Sequence, residues 1–480
     1  MLEELALTWT GRLSAPVLEK LLDLPEPLTT DIQTRRDIKV RMPDGVQLCT
    51  DHFRPPGQHP LPAVIFRTPY DKRGMVSQLW AMLLARQGFQ VIVQDTRGQY
   101  GSQGKFDAFR QERADGLATA AWVREQPWCD GTLATAGPSY LGHTQWAVAP
   151  YIEPPLAAMC PAITTSNFRE LFYPGGSFNL HNLLTWSSSI GSPETSQLAR
   201  LLRAGAIAKR VRRAMDHLPL GNADNIAIGK PEPFWRTVID HTEDDHWDEI
   251  NHTPALATLK TPVSMVTGWW DLLLVGQLRD YEELQKTDCP RRITIGPWDH
   301  MKSLKAVIGD SFSWLAAHLH GDASATHRAQ VRIYLQKAGQ WLDFDHWPPR
   351  RPEIGSTTTQ LRMLDRSGHL LDAQVTWVRA ITEGPVSGCG YLVQSTQTLP
   401  LNGPLLPADW IVELNYLANT EGAVWASFTN GPKVRVPVRP GLNRVFIRLP
   451  GSGNAIILQP ITQSLSLCVA VGPVGALAPR

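Results

Sequence analysis

Three residue types that together perform acyl chemistry stand in this chain at places that suit it. Ser139 lies in Gly137-Pro138-Ser139-Tyr140-Leu141-Gly142, after the apolar run Leu133-Ala134-Thr135-Ala136 and before the helix-compatible stretch His143-Thr144-Gln145-Trp146-Ala147-Val148-Ala149. Glycines two before and close after a serine permit a sharp strand-to-helix turn that exposes the hydroxyl. The usual pattern is Gly-x-Ser-x-Gly, and here the second glycine comes one residue late, with Leu141 in its place. Taken alone, the hexapeptide also reads as an ordinary Gly-Pro-Ser turn. Asp271 closes Gly268-Trp269-Trp270-Asp271, which follows the strand-like run 262–267, and His300 closes Gly296-Pro297-Trp298-Asp299-His300, which follows 292–295. A serine hydroxyl becomes a nucleophile when a histidine takes its proton and a carboxylate orients that histidine. In a doubly wound sheet such residues follow successive strands in the order Ser, Asp, His, at the strands' C-terminal ends. That order predicts nucleophilic attack on an ester or amide carbonyl.

Each residue also has an ordinary reading. An aspartate after a strand is commonly a helix cap, and a histidine there is commonly a packing residue. Asp299 is a rival carboxylate, but as the neighbour of His300 it points elsewhere, so Asp271 is the better orienting partner. His143, along the nucleophile helix, reads as structural. The tetrahedral intermediate needs hydrogen-bond donors. The backbone N–H of Tyr140 is one candidate; the other comes from the loop Arg67-Thr68-Pro69-Tyr70-Asp71-Lys72-Arg73-Gly74, where Tyr70 carries a phenol. No metal is expected: His241 and His246, with Asp244 and Asp245 between them, have the wrong spacing for paired helical ligands, and His318 and His320 do not share a helix face. Gly98-Gln99-Tyr100-Gly101-Ser102-Gln103-Gly104 matches neither a dinucleotide fingerprint nor a phosphate loop, so no cofactor is expected.

The elements that must position these residues follow from the pattern. Residues 1–35 form an N-terminal extension with one amphipathic stretch. In 36–165, apolar runs at 62–66, 90–94 and 157–160 alternate with helical patterns at 78–87 and 112–124. Such alternation implies βαβ units and a mostly parallel sheet. Residues 166–255 break that rhythm with helical stretches at 198–215 and 234–239, and read as a helical cap inserted between two halves of the sheet. The α/β rhythm returns over 256–322. From 325 to 480 the texture becomes alternating strands and turns, beginning with Val331-Arg332-Ile333-Tyr334-Leu335, which predicts an antiparallel β-sandwich.

Five stretches then resemble a known family. Thr68-Pro69-Tyr70-Asp71-Lys72, Gln94-Asp95-Thr96-Arg97-Gly98, Gln126-Pro127-Trp128-Cys129-Asp130-Gly131, Ser139-Tyr140-Leu141-Gly142 and Gly296-Pro297-Trp298-Asp299-His300 fall in the order seen in the cocaine esterase-like (CocE/NonD) hydrolases. That family is related to the X-prolyl dipeptidyl peptidases and the α-amino-acid ester hydrolases. The resemblance spans residues 36–322 and implies an α/β-hydrolase fold, with a cap and a jelly-roll-like β-sandwich. It implies Ser139 as nucleophile, His300 as general base and acid, and Asp271 as orienting carboxylate. Tyr70 O–H and the Tyr140 N–H are implied as the oxyanion hole. Asp95 and Arg97 are expected to brace the sheet edge. Tyr173-Pro174-Gly175-Gly176 and the Trp186 region look like the family's cap entrance, and Trp146, Tyr173, Trp186 and Trp270 are the expected substrate-binding aromatics. The segment 325–480 is shorter than the family's jelly roll and carries few of its motifs. The carboxylate cluster with which α-amino-acid ester hydrolases hold a substrate ammonium has no clear equivalent; Glu170 and the neighbours of Asp271 do not suffice.

Composition narrows the rest. At 480 residues the chain exceeds one compact core and implies two or three domains. A formal net charge of +1 gives no reason to expect nucleic acid or an anionic membrane as partner. No apolar run reaches membrane-spanning length, the first residues lack the form of a secretory signal, and the 6 cysteines are scattered without a Cys-x-x-Cys pair. A cytoplasmic protein with reduced thiols is expected. The expected activity is a cofactor-independent serine hydrolase acting on a small-molecule or peptide-like ester or amide. The alternatives are a peptidase or amidase, an acyltransferase, or a binding protein that has lost catalysis. Oligomeric state is not encoded in any motif, although a β-sandwich carried on a hydrolase often presents surface for a partner, which leaves a homodimer open.

Overall fold

The computed structural model describes residues 15–16, 19–191, 197–242, 245–322, 328–335, 340–348, 391–393, 397–400, 410–418, 421–429, 431–439, 441–449, 455–461 and 467–471. They fall into two compact units, Met1–Pro349 and Arg350–Arg480.

The first unit opens with β1 (Gln33–Arg41) and β2 (Gln47–Arg54), a hairpin turned at Pro43-Asp44-Gly45, where Gly45 takes φ 87°. There follow β3 (Leu61–Thr68), α1 (Met75–Arg86), β4 (Gln90–Asp95), α2 (Glu112–Arg124), β5 (Cys129–Pro138), α3 (Tyr140–Trp146) and β6 (Ala158–Ala162). The cap contributes α4 (Arg169–Phe172), α5 (Leu180–Ile190), α6 (Gln197–Met215), α7 (Ala223–Ala227) and α8 (Pro233–Asp240). The unit ends with β7 (Val263–Trp270), α9 (Leu274–Leu284), β8 (Arg291–Asp299), α10 (Leu304–Leu319), β9 (Val331–Leu335) and β10 (Gln340–Phe344). Ten strands make one sheet in the order β1-β2-β4-β3-β5-β6-β7-β8-β9-β10. The run from β4 to β9 is parallel, and β1, β2 and β10 add antiparallel edges.

Central strands of a parallel sheet are covered on both faces, so they need continuous apolar runs. β4 is buried at all six positions and β3 at all but the first. One side packs α1 and α10 through Trp80, Leu84, Phe312 and Leu315. The N-terminal extension lies against α1: Glu19 forms a buried bidentate pair with Arg86, at 2.6 and 3.0 Å. A second apolar cluster joins the cap to the turn above β5, and includes Phe109, Tyr140, Phe168, Phe172, Leu184, Phe234 and Trp235.

The second unit holds two four-stranded antiparallel sheets. One is ordered β11 (Tyr391–Val393), β18 (Leu467–Val471), β13 (Trp410–Ala418), β16 (Gly441–Leu449). The other is ordered β12 (Gln397–Pro400), β17 (Ala455–Pro460), β14 (Gly422–Phe428), β15 (Val434–Val438). Val424, Ala426, Phe428, Val436, Val438, Ile456 and Leu458 are all buried, the pattern of a sheet with one covered face.

The strand at 331–335, expected to open the C-terminal sandwich at 325, belongs to the large sheet. It is β9, parallel to β8, and it turns back into β10. Alternation marks a strand but does not name its partner. Among the described residues no helix is long and apolar enough to cross a membrane.

Candidate active site

The chain leaves β5 through Gly137 at φ 141° and places Ser139 at φ 56°, ψ −120°, directly before α3. A non-glycine residue at positive φ is strained and must be held by its surroundings. Ser139 N–H donates to Ala162 O at 2.9 Å, and Ser139 O accepts from Gly142 N, His143 N and Thr164 Oγ1. Gln145, buried on α3, ties the turn to both strands through Gly137 O at 3.0 Å and Cys160 N at 3.0 Å. The late glycine has a steric cause. A Cβ on Gly142 would lie 2.5 Å from Thr164 Cβ and Cγ2, and one on Gly137 would lie 2.5 Å from Leu141 Cβ. Position 141 tolerates a side chain because Leu141 faces the core.

Asp271 and His300 follow β7 and β8, neighbours in the sheet. Gly268 and Gly296 have no room for a Cβ, because Trp298 lies across both. His300 Nδ1 meets Asp271 Oδ2 at 2.7 Å, and His300 Nε2 meets Ser139 Oγ at 3.1 Å. The other carboxylate oxygen of Asp271 accepts from Leu273 N at 2.7 Å, which fixes its orientation. Asp299 turns away, accepting from Met301 N and Lys302 N and pairing with Lys302 at 2.8 Å. His143 is fully buried, with Nε2 donating to Phe109 O at 3.1 Å and its pKa pushed down to about 4 by burial.

Two groups able to donate lie next to Ser139. The Tyr140 N–H opens α3, where helix geometry leaves it without an intrahelical partner. The Tyr70 phenol is hydrogen-bonded to Ser139 and accepts from Trp186 Nε1 at 2.9 Å. Burial pushes its pKa up to about 12, so it remains a neutral donor. The loop that carries Tyr70 is moored to β4: Lys72 N and Nζ bind Asp95 at 2.6 and 3.1 Å, and Tyr70 N binds Thr68 Oγ1 at 3.0 Å. Arg97 holds Asp115 at 2.5 and 2.9 Å and Asp44 at 2.6 Å.

The comparisons with known proteins bear on this arrangement. The X-Pro dipeptidyl-peptidase (S15 family) model matches residues 44–302, which is more than half of the chain and takes in Tyr70, Ser139, Asp271 and His300. The chain belongs to the S15 family. It is 30% identical over 348 residues to the cocaine esterase of Rhodococcus sp. (strain MB1 Bresler), a match covering 65% of this chain and 60% of that relative's length. Among solved structures, an α-amino acid ester hydrolase superposes with a TM-score of 0.56 at 16% identity, covering 92% of this chain and 97% of that one. A CocE/NonD family hydrolase from Staphylococcus aureus gives 0.51 at 15% identity, covering 95% and 88%. At such identities these structures speak for the fold.

The aromatics proposed for substrate binding in this S15 chain separate into distinct groups. Trp186 reaches the site. Trp270, next to Asp271, is 59% exposed. Trp146 does not reach it: the helix α3 turns this residue into the core at 0% exposure, leaving no surface for a ligand. Tyr173 is also buried, in the cap, its hydroxyl bonded to the carbonyls of Val238 and His241. Aromatic residue type suits a pocket or a core equally, and here the full burial of α3 and the hydrogen bonds of Tyr173 within the cap put both in the core. Glu170, weighed as an ammonium anchor, pairs with Arg279, which also holds the buried Asp280.

Residues missed in the sequence lie beneath the turn. Glu112 Oε1 accepts from Tyr140 Oη at 2.8 Å, and Tyr140 Oη accepts from Phe109 N at 2.9 Å. Glu112 Oε2 pairs with Arg67 at 2.7 Å, with both side chains buried. Burial raises the Glu112 pKa while the Arg67 guanidinium opposes it. The signal available was Glu112 in the first turn of a helix close to the motif loops, where it reads as a solvated, dipole-favoured acid.

Proposed function

We propose that this S15-family chain is a serine hydrolase that cleaves a carboxylic ester of a small or hydrophobic acyl group. The observation that carries the reading is the continuous path from Ser139 Oγ to His300 Nε2 at 3.1 Å and from His300 Nδ1 to Asp271 Oδ2 at 2.7 Å. Ser139 Oγ attacks the carbonyl carbon as its proton passes to His300 Nε2. Asp271 holds the Nδ1–H tautomer and stabilises the imidazolium. The carbonyl oxygen takes the negative charge and accepts from Tyr70 O–H and Tyr140 N–H. The tetrahedral intermediate collapses, the alkoxide leaves with the proton from His300, and the acyl group stays on Ser139. Water then loses a proton to His300, attacks the acyl-enzyme, and the acid departs as Ser139 recovers its proton.

Family membership also supports a second reading, removal of a dipeptide or amino acid from a peptide-like amide. That chemistry needs an acidic anchor for a free ammonium. Glu170, weighed for that role, is paired with Arg279, which also holds Asp280, and this favours the ester. Trp186, half-buried beside Tyr70 and backed by Phe109 and Phe234, offers an aromatic face that suits an uncharged acyl chain. The test is turnover of 4-nitrophenyl acetate and butyrate against aminoacyl and X-prolyl anilides, by the wild type and Ser139→Ala. Ester turnover lost in the variant is expected. Anilide turnover lost in the variant transfers the reading to a peptidase, and activity that survives Ser139→Ala removes the nucleophile.

A further inference from the structure

Tyr70 and Ser139 follow the ends of β3 and β5, whereas Trp186 comes from cap helix α5, and a hydrogen bond from Trp186 Nε1 to Tyr70 Oη crosses from cap to site at 2.9 Å. Its direction is fixed by chemistry. An indole nitrogen donates and cannot accept, whereas a phenol oxygen does both. Tyr70 therefore accepts from Trp186, and its single proton is left for the Ser139 side, where the phenol is also hydrogen-bonded. The indole is itself held on three sides: it stacks on Phe109 with centroids 5.3 Å apart and on Tyr140 at 6.0 Å, and meets Phe234 edge-on at 4.7 Å. Phe109 precedes α2, Tyr140 opens α3 and Phe234 lies on α8, so three separate parts of the chain place this one N–H.

We propose that Trp186 is a positioning residue for oxyanion stabilisation, its indole N–H aiming and polarising the Tyr70 hydroxyl so that the cap, when seated, completes the oxyanion hole. A donor that feeds a hydroxyl increases that hydroxyl's own strength as a donor, because hydrogen bonds in a chain polarise one another in a desolvated site. The interaction gains most when negative charge develops on the carbonyl oxygen, so it favours the transition state over the bound substrate. It also restrains rotation of the phenol O–H, whose oxygen has Trp186 and Ser139 as its hydrogen-bond partners among the described residues. This role differs from contact with substrate, in which loss of the side chain raises KM.

The inference rests on the hydrolase reading above, and its test separates the two. Hydrolysis of 4-nitrophenyl butyrate is measured for the wild type, Ser139→Ala, Tyr70→Phe, Trp186→Phe and the Tyr70→Phe/Trp186→Phe pair. Trp186→Phe keeps an aromatic ring in the stack and removes the N–H. The expected result is a kcat about tenfold lower with KM within about twofold, the scale of one lost hydrogen bond to a polar group. Tyr70→Phe is expected to cost about 10²–10³-fold, and the double variant no more than Tyr70→Phe alone. If the smaller ring disturbs the cap, seen as a lowered Tm, 3-benzothienylalanine at position 186 replaces the N–H by sulfur at nearly constant shape and must give the same kcat loss. Losses that multiply in the double variant, or a Trp186→Phe effect confined to KM, overturn the positioning role and leave the triad untouched. Activity that persists in Ser139→Ala overturns the hydrolase reading and this inference with it.

Discussion

Replacing Gly142 by alanine tests whether the site depends on the steric fit of the turn. The added Cβ would lie 2.5 Å from Thr164 Cβ and Cγ2 and 2.7 Å from its Oγ1, against an ordinary contact of 3.4 Å or more. Relief requires a displacement of about 0.9 Å, the difference between those values. Thr164 cannot supply it by rotation. It is fully buried, and its Oγ1 donates to Ser139 O at 2.9 Å, so rotating the side chain breaks a bond that holds the strained serine. Either α3 moves, taking Tyr140 N–H with it, or the bond is lost. Overpacking costs about 1–3 kcal/mol and the lost hydrogen bond about 1 kcal/mol, so Gly142→Ala should destabilise by about 2–4 kcal/mol. A misplacement near 1 Å in the site should lower kcat about 10²-fold. Urea unfolding gives the first quantity and nitrophenyl ester turnover the second. Thr164→Gly removes all three clashing atoms, so the double variant should be more stable than the summed single effects by about 0.5–3 kcal/mol. A Gly142→Ala protein with kcat within threefold of wild type and an unchanged unfolding midpoint would refute the steric account, as would strict additivity with Thr164→Gly.

Three further outcomes follow from the same geometry. Asp271→Asn should retain the fold and lose about 10³–10⁴-fold in kcat, because an amide favours the wrong histidine tautomer; a loss under tenfold in steady-state kinetics would show that another group orients His300. Glu112→Gln should remove one partner of the buried Arg67 pair and cost about 3–5 kcal/mol, read by urea unfolding, and a variant as stable as wild type would show that the pair is not charged. Stability should fall as pH drops from about 6.5 to 4. Burial depresses the pKa of His52 and His143 from 6.5 to about 4, so the unfolded chain binds protons in that window that the folded chain refuses. Each contributes about 3 kcal/mol above the window and loses it through the window. His52→Gln should flatten the fall in Tm between pH 7 and 4, and an unaltered slope would remove His52 from the effect.

Some of this was legible in the sequence, and the boundary is physical. Ser139, Asp271 and His300 could be found because each follows an apolar strand, and strand-end position is written in local pattern. Tyr70 could be found by its motif. The reason for glycine at 142 could not, because the atom it avoids belongs to Thr164, after the next strand. Trp146 and Tyr173 are buried for reasons local pattern does not carry: α3 is covered at all of its positions, and the Tyr173 hydroxyl is taken up by carbonyls of the distant Val238 and His241. β9 was assigned to the wrong sheet because its alternating residues fit an edge of the parallel sheet as well as a sandwich. Glu112 escaped notice since a carboxylate at a helix start looks the same whether water or Arg67 receives it.

The charges behind the candidate site explain how its donors can be held rigid. Phe109, Tyr140, Trp186 and Phe234 meet ring against ring, contacts that fix few hydrogen-bond directions. Direction comes from one layer further back. The Tyr140 ring is pinned by Glu112, Glu112 by Arg67, and Arg67 lies near Asp115, which Arg97 grips in turn. The Tyr70 loop is pinned by Lys72 on Asp95. Both candidate oxyanion donors are thus moored to ion pairs that involve β3, β4 and α2. Buried pairs of this kind add little net stability, since desolvation offsets most of their attraction, but removing one partner leaves an unmatched charge and is strongly unfavourable. Their contribution is therefore to make alternative positions of the two donors costly, which is what a site that must present N–H and O–H groups to a developing charge requires. Trp186 is the exception, since it reaches Tyr70 from the cap and answers to aromatic packing alone. In the proposed oxyanion hole, ion pairs on the sheet side hold both donors, and Trp186 adds a second restraint on Tyr70 from the cap.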